Sequence, residues 1–226
     1  MTSKLNKVCG AVLAASALTI GSAGGTSAAT VSWTDWTTAS TDKVEGTLAA
    51  GGSNVGVTFN GTYSFAITGA GTNYWMPNAP YLSGVVSNAP PASDIIGLNV
   101  GGKASITFSQ AVIDPLIALV SWNGNTVDFG VPIEILSYGG GYWGNGTPML
   151  NTAGTGFYGN GEVHGVIRLP GTYTSLSFTH TSENWHGLTV GVVGLADNNQ
   201  VPEPTSIALV GLALLALAVR ARRQNS

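Results

Sequence analysis

Two pairs of residues in this sequence could do chemistry: Glu162 with His164, and Glu183 with His186. Each pair lies near the end of a predicted strand, so the two pairs could meet if those strands pair with each other. Imidazole and carboxylate groups are common metal ligands, which makes all four residues candidates for a metal site. Two carboxylates about 5 to 10 Å apart could instead serve glycoside hydrolysis. The alternative is a structural role as hydrogen-bonded polar side chains.

The spacing of Glu162 and His164 predicts that both lie on one face of a strand, because side chains alternate with a period of two. Val163 and Ile167 then lie on the opposite face. The sequence contains no hydrolase nucleophile elbow, zinc motif, phosphate-binding loop or dinucleotide fingerprint. We therefore predict a protein that is not an enzyme and needs no cofactor.

A glycine-rich segment from Tyr138 to Gly146 carries three aromatic residues, Tyr138, Tyr142 and Trp143. Aromatic faces suit the apolar side of a pyranose ring, and the neighbouring glycines let a ligand approach the backbone closely. The segment is therefore a candidate glycan-contacting loop. The alternative is that Trp143 folds inward and covers one end of the domain as a structural residue.

Several acidic residues near predicted turns are candidate ligands of a structural calcium ion. Calcium takes about six to eight oxygen ligands, so sparse acids would need help from loop carbonyls. Their spacing matches no calcium-binding loop, and ordinary solvated carboxylates are the alternative interpretation. The residues are Asp35, Asp42, Glu45, Asp94, Asp114 and Asp128.

The charge of the central region excludes one class of partner. Residues 30–200 contain three Lys or Arg residues and ten Asp or Glu residues, which gives a net charge of −7. Such a surface repels phosphate backbones, so we predict no nucleic-acid binding. The length suits one domain. Because Cys9 is the only cysteine of the chain, this domain has no disulfide.

Short runs of β-branched and aromatic residues, separated by turn residues, position these candidates. They predict an all-β fold, an antiparallel β-sandwich of jelly-roll or lectin-like outline, with a small barrel as the alternative. The first predicted strand is Val31–Thr37, and a flexible passage follows from Gly46 to Gly52. Val55–Phe59 and Tyr63–Ile67 predict a hairpin joined through Asn60-Gly61.

The second half of the domain shows the same pattern. Residues 69–103, rich in Gly, Pro and Asn, predict a long loop or cap. The apolar run Leu116–Trp122 predicts a strand buried on both faces. Pro132 lacks a backbone N–H, so we expect the residues around it to lie in an edge strand or at the start of a strand. Three further strands are predicted at Glu162–Leu169, Tyr173–Thr179 and His186–Leu195.

Residues 1–29 have the pattern of a secretory signal peptide. Two lysines precede an apolar stretch from Val8 to Ile20, and Ser27-Ala28-Ala29 is a cleavage site of the small-residue type. Removal of this segment would leave residues 30–200 as the mature acidic domain, followed by a distinct C-terminal segment.

The C-terminal segment, residues 201–226, begins with a Pro-rich motif and continues as an apolar stretch at about residues 205–219. Thirteen apolar residues from Ile207 to Val219 span roughly 20 Å as a helix, short of the roughly 30 Å bilayer core. We expect a single short transmembrane helix that is held in the membrane transiently. The motif is Val201, Pro202, Glu203 and Pro204, and the Arg-rich end at 220–223 contains Arg220, Arg222 and Arg223.

This order of motif, short helix and arginines resembles the PEP-CTERM sorting signal of bacterial exported proteins. The resemblance implies recognition by a membrane-embedded exosortase, cleavage near Pro-Glu-Pro, and delivery to the cell surface or an extracellular polysaccharide matrix. We expect Arg220, Arg222 and Arg223 to act as the stop-transfer element. Pieces of the domain, such as Ile106–Gln110 and Trp185–Gly191, also resemble body domains of other PEP-CTERM proteins, which implies no defined activity.

Together these features predict an exported surface or matrix protein with a structural or adhesive role in an exopolysaccharide matrix. Its expected partners are an exosortase, the inner membrane during sorting, and an exopolysaccharide. One alternative is a carbohydrate-binding module with a defined ligand site. Another is a secreted glycosidase, which would need two carboxylates that converge in a cleft.

Overall fold

The computed structural model describes residues 28–195. Except for residues 28 and 29, the predicted signal peptide lies outside this range. The sorting tail also lies outside it, including the motif at 201–204, the predicted helix at about 205–219 and Arg220, Arg222 and Arg223. No helix in the described part is long and apolar enough to cross a membrane. Its only helical element is a single 3₁₀ turn, η1 (Ala79–Tyr81).

Two antiparallel sheets make up the domain. The first has seven strands: β1 (Ser32–Trp33), β5 (Phe65–Thr68), β6 (Asp94–Leu98), β8 (Leu116–Trp122), β10 (Glu134–Gly139), β13 (Val163–Arg168) and β15 (His186–Val192). Their order is β10-β13-β8-β15-β6-β5, and β1 pairs with β15 as well. The predicted all-β fold is therefore confirmed.

The second sheet has nine strands: β2 (Asp35–Ser40), β3 (Lys43–Ala50), β4 (Ser53–Asn60), β7 (Gly102–Ile113), β9 (Thr126–Asp128), β11 (Gly146–Leu150), β12 (Gly156–Gly161), β14 (Thr172–His180) and β16 (Gly194–Leu195). Their order is β11-β12-β9-β14-β7-β4-β3-β2, with β16 beside β7. The three strands predicted in the last third of the domain are confirmed as β13, β14 and β15; β13 and β15 are shorter than predicted, and β14 is longer by one residue at each end.

The main hydrophobic core lies between the two sheets, and the seven-stranded sheet is also covered on its outer face. On β8, Ile117 and Leu119 belong to the inner core. Leu116, Ala118 and Val120 belong to a second cluster with Trp75 and Tyr81 from the 69–93 segment. All seven residues of β8 are buried, which confirms a strand buried on both faces.

A β-bulge near the end of β8 changes which face its last residues occupy. Ser121 has φ of 57°, in the left-handed region, and the register with β13 shifts at this point. Without the bulge, Trp122 would face outward like Leu116 and Ala118; with it, Trp122 joins the inner core. The bulge therefore buries Trp122 between the sheets and redirects the side chain of Ser121.

The predicted hairpin at Val55–Phe59 and Tyr63–Ile67 is wrong. Strand β4 pairs with β3 and β7, whereas β5 pairs with β6 in the other sheet. Period-two alternation reports which face of a strand is buried but not which sheet the strand joins. The prediction of a flexible passage from Gly46 to Gly52 is wrong as well. Strand β3 runs to Ala50, and the turn is Gly51-Gly52, both with positive φ.

Two other segments differ from prediction in part. The first predicted strand, Val31–Thr37, is divided at Thr34 between the seven-stranded and the nine-stranded sheet. Residues 69–103 do form a cap, but they also contain β6, every residue of which is buried. The placement of the strand after Pro132 is confirmed, because β10 is an edge strand.

Candidate functional site

The segment that carries Tyr142 and Trp143 is a tight turn between β10 and β11. Gly141 N donates to Gly144 O at 2.7 Å, which places the two aromatic residues at the tip. Gly141 lies directly over the imidazole of His164: a Cβ there would be 2.2 Å from His164 Cγ. Glycine at position 141 therefore lets the turn pack down on the sheet.

Trp143 does not fold inward, because 53% of its surface is exposed. Its ring lies 5.0 Å from Tyr142 and 6.3 Å from Trp185, measured between centroids. Trp185 in turn lies 5.0 Å from Tyr74 and 5.4 Å from Phe65. We call these five residues the aromatic rim.

Tyr138, which the sequence groups with Tyr142 and Trp143, lies apart from the rim. It is exposed on β10, opposite Gly165, and has no aromatic ring partner among the described residues. The aromatic residue that packs beside Trp143 is instead Trp185, which comes from the turn between β14 and β15, distant in sequence.

A cavity of about 240 Å³ opens beside the rim. We call it the carboxylate pocket; its lining residues are Ser121, Asn123, Trp143, Glu162, Glu183, Asn184 and Trp185. A larger cavity of about 340 Å³ near Ile113, Leu116 and Leu136 is lined mostly by aliphatic side chains, with Asp114 and Arg168 among them. The carboxylate pocket is the better candidate site because aromatic and polar groups converge in it.

Hydrogen bonds fix both carboxylates of the pocket. Ser121 Oγ donates to Glu162 Oε2 at 2.5 Å, and Asn123 Nδ2 donates to Glu162 Oε1 at 2.7 Å. The backbone N of Asn123 donates to Glu183 Oε2 at 3.2 Å. Both glutamates thus bond to Asn123, so the two acids meet at the end of β8, which lies between β13 and β15.

The topology of the seven-stranded sheet explains this convergence. Strands β13 and β15 flank β8 and run antiparallel to it, so their starts lie beside the end of β8. Glu162 precedes β13, Glu183 precedes β15, and Ser121 and Asn123 lie at the end of β8. The bulge at Ser121 turns its hydroxyl toward Glu162.

The predicted placement of Glu162 and His164 on one strand holds for His164 alone, because β13 begins at Val163. Gly161 has φ of 82°, and Glu162 lies in a bend between β12 and β13. His164 is buried on the outer face of the sheet, with Nδ1 3.4 Å from the Tyr81 hydroxyl. Burial lowers the pKa of His164 to about 4, although the charge of Glu162 acts in the opposite direction.

His186 lies on the inner face of the same sheet, away from His164. Its Nε2 is 3.0 Å from His180 Nδ1, and its Nδ1 is 3.4 Å from Glu183 Oε2. Burial, with a smaller contribution from His186, lowers the pKa of His180 to about 4. The two histidines, which we considered as joint metal ligands, therefore lie on opposite faces of the sheet. Their neighbours Glu162 and Glu183 meet where β13 and β15 begin.

The described residues contain no cluster of three or more His, Cys, Asp or Glu side chains arranged to hold a metal ion. The calcium candidates have separate roles: Asp94 Oδ1 accepts from Trp36 N, Asp114 Oδ1 from Gly171 N, and Asp128 Oδ1 from Gly130 N. Burial raises the pKa of Asp94. These carboxylates stabilise local backbone structure at separate places.

The described domain is an all-β sandwich that carries exposed aromatic rings beside two hydrogen-bonded carboxylates. Outside the described residues, positions 200–223 match the PEP-CTERM protein-sorting motif. This chain therefore carries the sorting signal of an exported protein, which an exosortase processes at the membrane. No curated protein and no solved structure matches the chain significantly.

Proposed function

We propose that the β-sandwich is a non-enzymatic glycan-binding domain, and that it attaches the exported protein to polysaccharide of the cell surface or extracellular matrix. The observation that supports this most is the exposure of Trp143 at the tip of a turn beside two hydrogen-bonded glutamates. A structural tryptophan would be covered. The jelly-roll or lectin-like outline and the adhesive role are parts of this proposal.

The two parts of the site would contact different faces of a sugar. The rings of Trp143 and Tyr142 offer apolar surface to the C–H groups of a pyranose. Glu162, Glu183 and Asn123 offer acceptors to its hydroxyl groups. Because Glu162 is already fixed by Ser121 and Asn123, it would lose little conformational entropy when a ligand binds.

The convergence of Glu162 and Glu183 also favours a second candidate, a glycoside hydrolase. A hydrolase needs one carboxyl group as a proton donor and a second as nucleophile or base. Both oxygens of Glu162 already accept hydrogen bonds from protein donors, which suits a fixed acceptor better than a proton donor. We therefore place binding ahead of hydrolysis.

Fluorescence titration of the full-length protein tests the proposal, in a detergent without a sugar headgroup. The probes are cellotetraose and the N-acetylglucosamine tetramer. We expect saturable binding with a Kd of about 1 mM or tighter, lost in Trp143→Ala. Tyr158→Ala is the matched control, because Tyr158 is 46% exposed on β12 and is not part of the rim.

Two results would overturn this proposal. Equal binding by the unmodified protein and Trp143→Ala would remove the rim from the site. Release of shorter sugars from either probe, abolished by Glu162→Gln or Glu183→Gln, would establish the hydrolase instead.

A further inference from the structure

The carboxylate pocket has a charge imbalance that a neutral sugar would leave unchanged. Glu162 and Glu183 both face it, and neither forms an ion pair with a described Lys or Arg residue. Lys43 pairs with Glu45 and Arg168 pairs with Glu134, whereas Lys103 lines a different cavity. Within the described domain, the two carboxylates therefore lack a Lys or Arg partner.

Glu183 is largely covered and retains acceptor capacity. Its side chain is 14% exposed, and it accepts one direct hydrogen bond, from Asn123 N. His186 is fully buried, and its Nδ1, 3.4 Å from Glu183 Oε2, has no hydrogen-bond partner within the described domain. A partly buried carboxylate with so few partners is stabilised when a cationic donor binds beside it.

The pocket walls indicate which kind of cation fits. Trp143 and Trp185 line the same cavity as the glutamates, and indole faces attract ammonium groups through their quadrupole. A calcium ion would need about six to eight oxygen ligands, and the cavity walls are instead partly aromatic. An ammonium group can use both features, because it donates hydrogen bonds to carboxylates and packs against aromatic rings.

We propose that the carboxylate pocket selects glycans that carry a protonated amino group, with the ammonium between the two glutamates and against Trp143 and Trp185. This inference rests on the proposed glycan-binding function and names the ligand class of that site. Amino sugars within a polysaccharide have the required chemistry. Uronic acids have the opposite charge and would be repelled by Glu162 and Glu183.

A comparison of two tetrasaccharides tests the proposal on the full-length protein. The probes are the β-linked glucosamine tetramer and cellotetraose, which has a hydroxyl where the former has each amino group. At about pH 6 the amines are protonated, and we expect binding about tenfold tighter than to cellotetraose. At about pH 9 the amines are neutral and the two affinities should converge.

Substitutions assign the preference to the pocket. The double variant Glu162→Gln, Glu183→Gln should bind both tetramers equally at about pH 6, because it keeps the side-chain shapes and removes both charges. Glu45→Gln is the control for lost charge, since Glu45 is exposed and pairs with Lys43 on the other sheet. It should retain the preference. Melting temperatures of the same samples show whether each variant is folded.

The possible outcomes separate this inference from the proposed function. Binding of cellotetraose as tightly as the amino tetramer would overturn the inference and leave the glycan site intact. A preference that survives in the folded double variant would also overturn it. Binding of neither tetramer would contradict both proposals. Displacement of the amino tetramer by micromolar calcium chloride alone would replace the ammonium site with a metal site.

Discussion

Trp122 and Trp143 show how differently one residue type is used in two regions of this molecule. Trp122 is 1% exposed, packs 4.3 Å from the His186 ring and donates Nε1–H to Gly187 O at 2.9 Å. Trp143 is 53% exposed and contacts other aromatic residues at the tip of a turn. Trp122 is covered by protein and its N–H is hydrogen-bonded, whereas about half of the surface of Trp143 is open to solvent.

The polar groups of the two regions differ in the same way. Between the sheets, His180 and His186 bond to each other and are buried. In the carboxylate pocket beside the rim, Glu162 and Glu183 are fixed by hydrogen bonds but remain open to a cavity. We therefore expect substitutions in the interior to change stability, and substitutions at the rim to change the proposed glycan binding.

Trp122→Ala should have the largest effect on stability. Loss of a fully buried tryptophan costs about 3 to 5 kcal/mol, because a cavity remains between the sheets. Trp143→Ala should change the free energy of unfolding by less than about 1 kcal/mol. Urea unfolding of both variants measures the difference, with Trp122→Phe as a milder substitute if the alanine variant does not fold. Equal losses at the two positions would contradict the division between interior and rim.

Acid should weaken the interior. His164 and His180 have a pKa of about 4 in the folded protein against about 6.5 when unfolded, so the unfolded chain binds more protons between these values. Stability is therefore lost as pH falls from about 6.5 to about 4, on the order of 3 kcal/mol for each histidine.

The contribution of His180 can be isolated by substitution. Urea unfolding at about pH 7.5 and about pH 4.5 should show a smaller loss for His180→Asn than for the unmodified protein. Asp94 works in the opposite direction, because burial raises its pKa, so the variant isolates the histidine better than the pH profile alone. The same loss in both proteins would show that His180 is not responsible.

Gly141→Ala should affect both regions moderately. Its Cβ would lie 2.2 Å from His164 Cγ, and His164 is buried against Tyr81, so the turn that carries Tyr142 and Trp143 must shift. We expect a loss of about 1 to 3 kcal/mol in stability together with weaker glycan binding. The matched control is Gly140→Ala, because a Cβ there meets nothing closer than 3.9 Å. If both variants behave alike, the close packing of the turn has no consequence.

The sequence predicts the sheets better than their connections. The strand β8 was predictable because Leu116–Trp122 is a nearly continuous apolar run, and a short run of this kind is buried completely when both faces of the strand are covered. The hairpin through Asn60-Gly61 failed because local alternation is the same whether two strands pair or enter different sheets. Strand β6 was missed because Asp94 and Gly97 interrupt its apolar pattern.

The site was predictable only where its signal is local. The glycines around Tyr142 and Trp143 indicate a loop by residue type alone, but they do not indicate whether Trp143 points outward or inward. Ser121, Asn123 and Trp185 carry no such signal, since their role depends on the order of β13, β8 and β15 in one sheet and on a bulge. A polar residue after a buried strand can be assigned to a site only when the residues beside it on the neighbouring strands are known.

The central claim is that glycan binds at the rim, and hydroxyl-radical footprinting with the glucosamine tetramer tests it most directly. Trp143 and Tyr158 are similarly exposed, at 53% and 46%, so both should be oxidised readily in the free protein. With saturating tetramer, we predict that oxidation of Trp143 and Tyr142 falls while Tyr158 is unchanged. Protection of Tyr158 with continued oxidation of Trp143, or no protection at either residue, would contradict the account.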